Sequence, residues 1–259
     1  MSGRYTFGDG DLAADRLGLV AAVFEPTSRA LLTRADAVVA RGDDGVGRAV
    51  DLGCGPGHTT RLVAAVCRPR TTLGLDASDR FVATARSLTD DPAVTYAVHD
   101  VTRAPLPGGP ADLVHARLLL AHLPGPLDVV ALWRSCLRPG GVLVLDEVEA
   151  IDAPPGVLRD YLAVTTALVA AEGAQMYAGR LLEPLGGHLV RHDVGAAVAA
   201  RMFAMNLATW RADAIRMALV DEPGADRLAA GLSSLSIGPD GPPVRWTLRQ
   251  LVLPGEHDR

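Results

Sequence analysis

Residues 49–66, AVDLGCGPGHTTRLVAAV, constrain the fold more than any other part of the sequence. An apolar run reaches Asp51, glycines then occupy positions 53, 55 and 57, and apolar residues afterwards recur at helical spacing. Glycine tolerates positive φ and lets a ligand approach the backbone closely. The pattern therefore predicts a β-strand, a tight turn that holds a ligand, and a helix, which are the first parts of a βαβ unit.

The same alternation of strand and helix continues to about residue 150. Short Val- and Leu-rich runs predict five strands, at GRAVDLG, TTLGLDA, AVTYAVHD, ADLVHARL and GGVLVLDEV. Amphipathic stretches predict helices over 58–67, 78–88 and 126–137. Strands that alternate with helices form parallel sheets that are covered on both faces. The sequence therefore predicts an α/β fold.

Weaker signals predict the regions on either side of this alternation. Before it, two helices are expected within 11–40, the first of them ending near Pro26. After it, the patterns predict a helix over 154–173, a short helix and a turn over 177–194, a strand over 198–207, a helix over 224–235 and a last strand over 244–253. We expect a single domain with an N-terminal helical cap (1–42), a cofactor-binding core (43–150), a helical insert that forms a substrate lid (151–195) and C-terminal strands of the sheet (196–259).

The composition argues against several classes of protein. The net charge is −5, no Lys/Arg run occurs and only 4% of residues are aromatic, which does not fit a nucleic-acid-binding protein. No segment approaches the roughly 18 uninterrupted apolar residues of a membrane span. The N-terminus shows no signal-peptide pattern, and the three cysteines fit no zinc pattern. We expect a cytoplasmic monomer or homodimer that binds no nucleic acid, membrane or metal.

The residues around the turn discriminate between cofactor classes. A phosphate-binding P-loop requires a lysine that is missing, and the dinucleotide motif requires a glycine where His58 stands. Acids end the second and third predicted strands, at Asp76 and Asp100, and Asp51 lies beside the turn. Carboxylates only accept hydrogen bonds, so these acids suit ribose hydroxyls, an adenine amine and an ammonium group. They would disfavour a pyrophosphate. The pattern predicts a cationic nucleoside with an amino-acid tail.

Taken in order, these motifs resemble the class I S-adenosylmethionine-dependent methyltransferases, of the bacterial small-molecule type. The resemblance covers about 45–150 and rests on VDLGCGPG, GLDAS, HDV…LP, DLVHARLLLAHLP and WRSCLRPGGVLVLDE. It implies S-adenosylmethionine as the cofactor. It also implies a Rossmann-like, seven-stranded, mostly parallel sheet in the order 3-2-1-4-5-7-6, with strand seven antiparallel, N-terminal helices and a helical insert before strand six.

The resemblance further implies which residues bind the cofactor. They are Tyr5, Asp51, Gly53, Cys54, Gly55, Gly57, Asp76, Ala77, Asp100, Val101, Arg117 and His122. The turn residues would pack under the methionine portion, and the backbone carbonyl of Arg117 would contact the methionine amine. Asp76 would bind the ribose and Ala77 would lie against the adenine. Asp100 and Val101 would read the base.

The reaction that the resemblance implies is methyl transfer to a small acceptor, a bacterial secondary metabolite or a small acid. His122, after the fourth strand, is the leading candidate for a catalytic base, and its alternative role is to shape the loop or to contact the cofactor. Glu147 and Glu149 leave the fifth strand, and one of them is expected to face the substrate. Tyr5 or Phe7 is expected to help close the cleft.

Three alternative functions stay open at this point. The first is an enzyme of the same fold that uses S-adenosylmethionine for a cyclisation or a decarboxylation. The second is a protein that binds the cofactor without catalysis. The third is a nicotinamide-dependent reductase, which the missing third glycine of the dinucleotide motif disfavours.

Overall fold

A seven-stranded sheet organises the computed structural model, which describes residues 8–40, 45–239 and 241–255. The strands are β1 (Arg48–Leu52), β2 (Thr71–Asp76), β3 (Val94–Val98), β4 (Ala111–Arg117), β5 (Leu137–Asp152), β6 (His188–Val194) and β7 (Val244–Pro254). They lie in the order β3-β2-β1-β4-β5-β7-β6, and β7 runs antiparallel to both of its neighbours while β1 to β5 pair in parallel. The predicted Rossmann-like α/β fold and strand order are confirmed.

Seven α-helices lie in the described part of the chain. They are α1 (Asp11–Val38), α2 (His58–Cys67), α3 (Asp79–Ser87), α4 (Pro126–Ser135), α5 (Val157–Ala171), α6 (Ala196–Arg216) and α7 (Glu222–Ile237). A 3₁₀ turn (Leu120–His122) follows β4, and a 3₁₀ helix (Ala178–Leu185) follows α5. The helices α2, α3 and α4 connect the parallel strands at the predicted places. Across these described helices, none has the length and apolar character needed to cross a membrane.

Both faces of the central strands are buried. Ala49 of β1 packs on the side of α1 and α2, where it meets Leu32 and Val63. Its neighbour Val50 packs on the opposite side, with Trp133 of α4. This alternation follows from the two-residue period of a strand. Because helices cover both faces, a ligand can reach the parallel strands only at the edge where they end.

Helix α1 corrects the prediction of two helices that divide near Pro26. It is one helix of 28 residues with Pro26 inside it. A proline in a helix loses one backbone hydrogen bond and is costly. Packing on both sides of the proline offsets that cost, since Phe24 and Leu31 are 2% and 1% exposed. The hydroxyl of Ser28 also donates to the buried Asp146 carboxylate at 3.0 Å.

The C-terminal third contains the second correction. The predicted strand over 198–207 is wrong, because these residues belong to helix α6. Its buried residues Ala199, Phe203, Leu207 and Trp210 recur every three or four positions, which is the helical period. Strand six is instead β6, whose side chains are mostly exposed, so no apolar run marks it in the sequence.

These changes move two predicted boundaries. The helical insert before strand six is present as α5 and the following 3₁₀ helix, but β6 already begins at His188, inside the range 151–195 that was assigned to the insert. The range 196–259, predicted to hold C-terminal strands, contains α6, α7 and the single strand β7 within its described residues.

Candidate active site

A cavity of about 600 Å³ lies at the edge of the sheet where the parallel strands end. The turn after β1, the end of β2, the residues after β3, the loop after β4, and β5 all reach it. Helices α1 and α6 and the end of α5 complete the wall. Its volume is typical of small-molecule sites, and open α/β sheets bind ligands at this edge.

The glycine turn forms part of the wall. Gly53 and Gly55 have φ values of +61° and +50° and line the cavity together with Cys54. Burial raises the pKa of the Cys54 thiol, so this side chain packs in its neutral form. Gly57 has a different role: it is absent from the wall, and a Cβ there would lie 2.6 Å from the Tyr96 hydroxyl. Its φ of +82° and this close packing explain why glycine occurs there.

Asp51 does not line the cavity, contrary to the expectation that it faces the ligand. It is fully buried beneath the turn. One carboxylate oxygen accepts hydrogen bonds from the hydroxyls of Thr59 and Thr60 at 2.7 and 2.6 Å. The other lies 2.7 Å from Nδ1 of buried His115. Asp51 therefore ties the start of α2 to β1 and β4, because these partners occupy its oxygens.

Asp76 lies in the cavity wall at the end of β2, with Ala77 beside it. One carboxylate oxygen accepts from the backbone N–H of Gly55 at 2.8 Å, and the other accepts from that of Ser78 at 2.9 Å. Burial raises the pKa of Asp76. A carboxylate has about four acceptor positions, so the two backbone bonds leave capacity for ligand hydroxyls.

Asp100 and Val101 line the same end of the cavity. Asp100 is exposed and accepts hydrogen bonds from the backbone and hydroxyl of Thr102 at 3.1 and 2.6 Å, and these bonds hold its pKa below the ordinary value. Val101 is buried, and its carbonyl accepts a 2.8 Å bond from the indole N–H of Trp133. That bond fixes the backbone of the loop after β3.

Two basic side chains line the cavity here: Arg117 at the end of β4 and His122 in the loop that follows it. Burial lowers the pKa of Arg117, while the nearby carboxylates of Asp146 and Asp51 act in the opposite direction. Burial, together with the positive charge of Arg16, lowers the pKa of His122 to about 4. His122 is therefore neutral near pH 7, and an imidazole of such low pKa is a weak base.

The structure separates Glu147 and Glu149, the two acids in the second half of β5. Glu147 is 1% exposed and lines the cavity, and one of its oxygens accepts the backbone N–H groups of Leu119 and Leu120 at 2.8 and 2.9 Å. Burial raises its pKa to about 8. Glu149 lies at a register shift between β5 and β7 and forms a bidentate pair with Arg249, at 2.7 and 3.0 Å. A β-bulge commonly re-aims a side chain in this way.

The far end of the cavity is largely apolar. Its apolar wall consists of Phe24, Val148, Ile151, Met202, Phe203 and Trp246, from α1, β5, α6 and β7. Val169 and Met176 show that the insert also contributes to this wall. The α6 residues were missed because that segment was predicted as a strand.

Arg16 was also missed as a wall residue. It is 5% exposed, lines the cavity, and shares one face of α1 with Val20 and Phe24 at four-residue spacing. An arginine within an apolar helical stripe is a signal that the sequence did contain. Tyr5 and Phe7, which were expected to help close the cleft, lie outside the described residues.

Similarity to known proteins agrees with this architecture. The family described as "Methyltransferase domain" matches residues 50–145. A trans-aconitate 2-methyltransferase of Variovorax paradoxus is 30% identical over 195 residues, which cover 72% of this chain and 73% of that protein. The chain belongs to the class I S-adenosylmethionine-dependent methyltransferases. Its cofactor is therefore S-adenosylmethionine.

Two further matches show how far the likeness to other methyltransferases extends. A trans-aconitate 2-methyltransferase of Methylobacterium radiotolerans is 34% identical over 52% of this chain and 52% of its own length, so the chain spans about half of that relative. The solved phosphoethanolamine N-methyltransferase 2 of Haemonchus contortus, in complex with S-adenosyl-L-methionine, is 20% identical with a TM-score of 0.52, covering 92% of this chain and 57% of that one. At that identity the likeness concerns the fold alone.

The wall of this methyltransferase fits its cofactor. Gly53 and Gly55 expose backbone at the turn, where an amino-acid tail can approach closely. Asp76 and Asp100 supply acceptors for hydroxyl and amine donors. When bound, S-adenosylmethionine supplies a methyl group that its positive sulfur activates.

Proposed function

We propose that this chain transfers the methyl group of S-adenosylmethionine to a small-molecule acceptor. One observation carries the proposal: a single cavity is polar at the strand ends and mostly apolar between α1, β5, α6 and β7, where Arg16, Glu147 and Asn206 are the polar exceptions. A methyltransferase needs two such sites side by side, one for the cofactor and one for the acceptor. Methylation of a protein or a nucleic acid is disfavoured, because the apolar end is enclosed by buried side chains such as Phe24 and Phe203.

In this proposal the cofactor occupies the polar end. The methionine portion lies on Gly53, Cys54 and Gly55, and the ribose hydroxyls donate to Asp76. The adenine lies against Ala77 with its amine directed to Asp100. These roles are supported by the presence of all these residues in the cavity wall.

The chain itself positions the acceptor and keeps water away from the reacting atoms. The acceptor atom must stand about 3–3.5 Å from the methyl carbon and in line with the C–S bond. Phe24, Phe203 and Trp246 are 2–4% exposed, so the chamber that they line can keep water from the reacting atoms. Such a chamber favours a small acceptor with a largely apolar body, as many bacterial secondary metabolites have.

Trans-aconitate is the second candidate acceptor, because the relatives are named for it. The guanidinium groups of Arg16 and Arg117 in the wall favour an anionic acceptor. A tricarboxylate would, however, bring three charges next to apolar side chains, and each buried charge requires a partner. We therefore place trans-aconitate second. The cytoplasmic location and the monomeric or dimeric state stay predictions.

Two measurements test this function. Isothermal titration with S-adenosylmethionine should show saturable binding, and NAD(H) should show none. Incubation with the cofactor and with candidate acceptors, trans-aconitate included, should yield a product heavier by one CH₂ group in mass spectrometry. A product without that gain would instead indicate a cyclisation or decarboxylation. Binding of the cofactor without any product would indicate a non-catalytic protein.

A further inference from the structure

Glu147 is a buried acid in the cavity wall with one oxygen engaged. The backbone N–H groups of Leu119 and Leu120 both donate to Oε1. They hold the carboxyl group against the loop after β4. Within the described residues, the carboxyl group makes no other hydrogen bond. The second oxygen, Oε2, stays available to a molecule in the cavity that Glu147 lines.

The surroundings of Glu147 keep this carboxyl group titratable near neutral pH. The charged and titratable groups on the neighbouring elements are Arg16 of α1, Arg117 at the end of β4, His122 after it, Asp146 of β5, Tyr161 of α5, Glu172 after α5, Arg180 and Glu183 of the 3₁₀ helix and Arg249 of β7. Burial, with a smaller effect from Asp146, outweighs the two backbone N–H groups and raises the pKa of Glu147 to about 8. Arg249 forms its bidentate ion pair with Glu149 and not with Glu147.

The two candidate bases of the cavity therefore differ in strength. A general base works best when its pKa lies near the working pH. Burial moves the pKa of His122 down to about 4 and that of Glu147 up to about 8. A proton taken from an acceptor is held much better by Glu147 than by His122.

The need for a base depends on the acceptor atom. A carboxylate acceptor is already deprotonated and needs no base. An alcohol or a phenol must lose a proton as it reacts, and its neutral form suits the apolar wall of Phe24, Met202 and Phe203.

We propose that Glu147 is the proton acceptor for a hydroxyl-bearing substrate, so that this chain methylates an alcohol or a phenol; the inference rests on the methyl-transfer function proposed above. The acceptor oxygen forms the new O–C bond as the C–S bond breaks, and the electron pair of that bond stays on sulfur. The hydroxyl proton moves to Oε2 of Glu147 and is released to solvent after the product leaves.

The test compares Glu147→Gln with Glu149→Gln in the full chain. Glutamine keeps an oxygen that can accept from Leu119 and Leu120 but cannot take up the proton, while Glu149→Gln removes a charge from the same strand outside the cavity. The probes are a panel of simple phenols and aliphatic alcohols, with trans-aconitate as the carboxylate probe. Methyl transfer is measured as kcat/KM from about pH 6 to about pH 9.

We expect the wild-type chain and Glu149→Gln to methylate a hydroxyl probe with a rate that rises towards about pH 8. Glu147→Gln should lose this rise and about 10²–10⁴-fold in kcat/KM, with the affinity for S-adenosylmethionine retained and no fall in melting temperature. An unchanged pH profile in Glu147→Gln, or methylation of trans-aconitate alone, would overturn the role of Glu147. The absence of any methylated product from the wild-type chain would instead overturn the proposed function, and the inference with it.

Discussion

The two ends of the cavity are built in different ways. At the polar end, which we propose holds the cofactor and call the cofactor end, Gly53, Asp76 and Asp100 each stand within a few residues of a strand end, and the sheet brings those ends together. At the largely apolar end, which we propose holds the acceptor and call the acceptor end, Phe24, Phe203 and Trp246 come from distant parts of the chain and meet only through helix and strand packing. The cofactor end is thus a property of local motifs, whereas the acceptor end is a property of the tertiary structure.

A matched pair of substitutions should show the largest difference between the ends. Phe81 of α3 and Phe203 of α6 are both 4% exposed and both line the cavity. Phe203 also stacks on Tyr161 with ring centroids 4.3 Å apart. Each Phe→Ala change should lower the free energy of unfolding by about 3–5 kcal/mol, measured by urea denaturation, because it removes a buried aromatic ring.

Ligand binding should then separate the pair. Phe81→Ala should weaken binding of S-adenosylmethionine, and Phe203→Ala should leave cofactor affinity nearly unchanged while it alters acceptor preference. Equal loss of cofactor affinity in both variants, by calorimetry, would contradict the division of the cavity into two ends.

Glu147 lies between the two ends of the cavity. Its protonation should appear in the pH dependence of the free energy of unfolding, measured without any methyl acceptor present. Its pKa is about 8 in the folded chain and near 4.5 when exposed. The folded state therefore holds a proton that the unfolded state has released, and this contribution to stability is complete below about pH 4.5 and is lost as the pH rises through about 8.

Glu147→Gln does not titrate, so its advantage in stability over the wild-type chain should grow by about 2–4 kcal/mol across that range. Urea denaturation at a series of pH values measures this difference, and Glu149→Gln serves as the control for charge removal. A difference in stability that does not vary with pH would show that burial does not raise the pKa of Glu147.

The residues proposed to bind the cofactor could be found in the sequence because their signals are local. The turn, the acids that end β2 and β3, and the helices between the strands all follow from short patterns, and the structure brings Asp76, Asp100 and Val101 into one wall. Gly57 and Asp51 show the limit of such patterns. Their spacing marks the turn, but it does not distinguish a residue that faces the ligand from one that packs on Tyr96 or binds Thr59.

The acceptor end could not be predicted in the same way. Helix α1 continues through Pro26 because buried contacts on both sides hold it, and those contacts are distant in sequence. The alanine-rich segment of α6 was assigned to a strand, although its buried positions follow the helical period. Glu147 faces the cavity and Glu149 does not, because the register shift between β5 and β7 lies between them, and only the pairing with β7 creates that shift.

At the cofactor end, Asp76→Ala should weaken binding of S-adenosylmethionine by about 1–3 kcal/mol, because the ribose hydroxyls would lose their acceptor. Calorimetry with the cofactor measures the effect. Asp76→Asn is a closer comparison than alanine, since its oxygen can still accept from Gly55, although its NH2 group cannot accept from Ser78. Unchanged affinity in Asp76→Ala would contradict the ribose assignment.

The smallest expected effect concerns Ser78, which stands next to the cofactor end but has a structural role. Its hydroxyl caps α3 by accepting the backbone N–H of Phe81 at 3.2 Å, whereas its backbone N–H, which any residue but proline retains, binds Asp76. Ser78→Ala should therefore lower the free energy of unfolding by about 1 kcal/mol and leave cofactor affinity unchanged. Thermal unfolding and calorimetry on the same variant measure both quantities. A loss of affinity comparable to that of Asp76→Ala would mean that the hydroxyl itself contacts the cofactor, and the cofactor end would then extend beyond the strand-end acids to the first residues of α3.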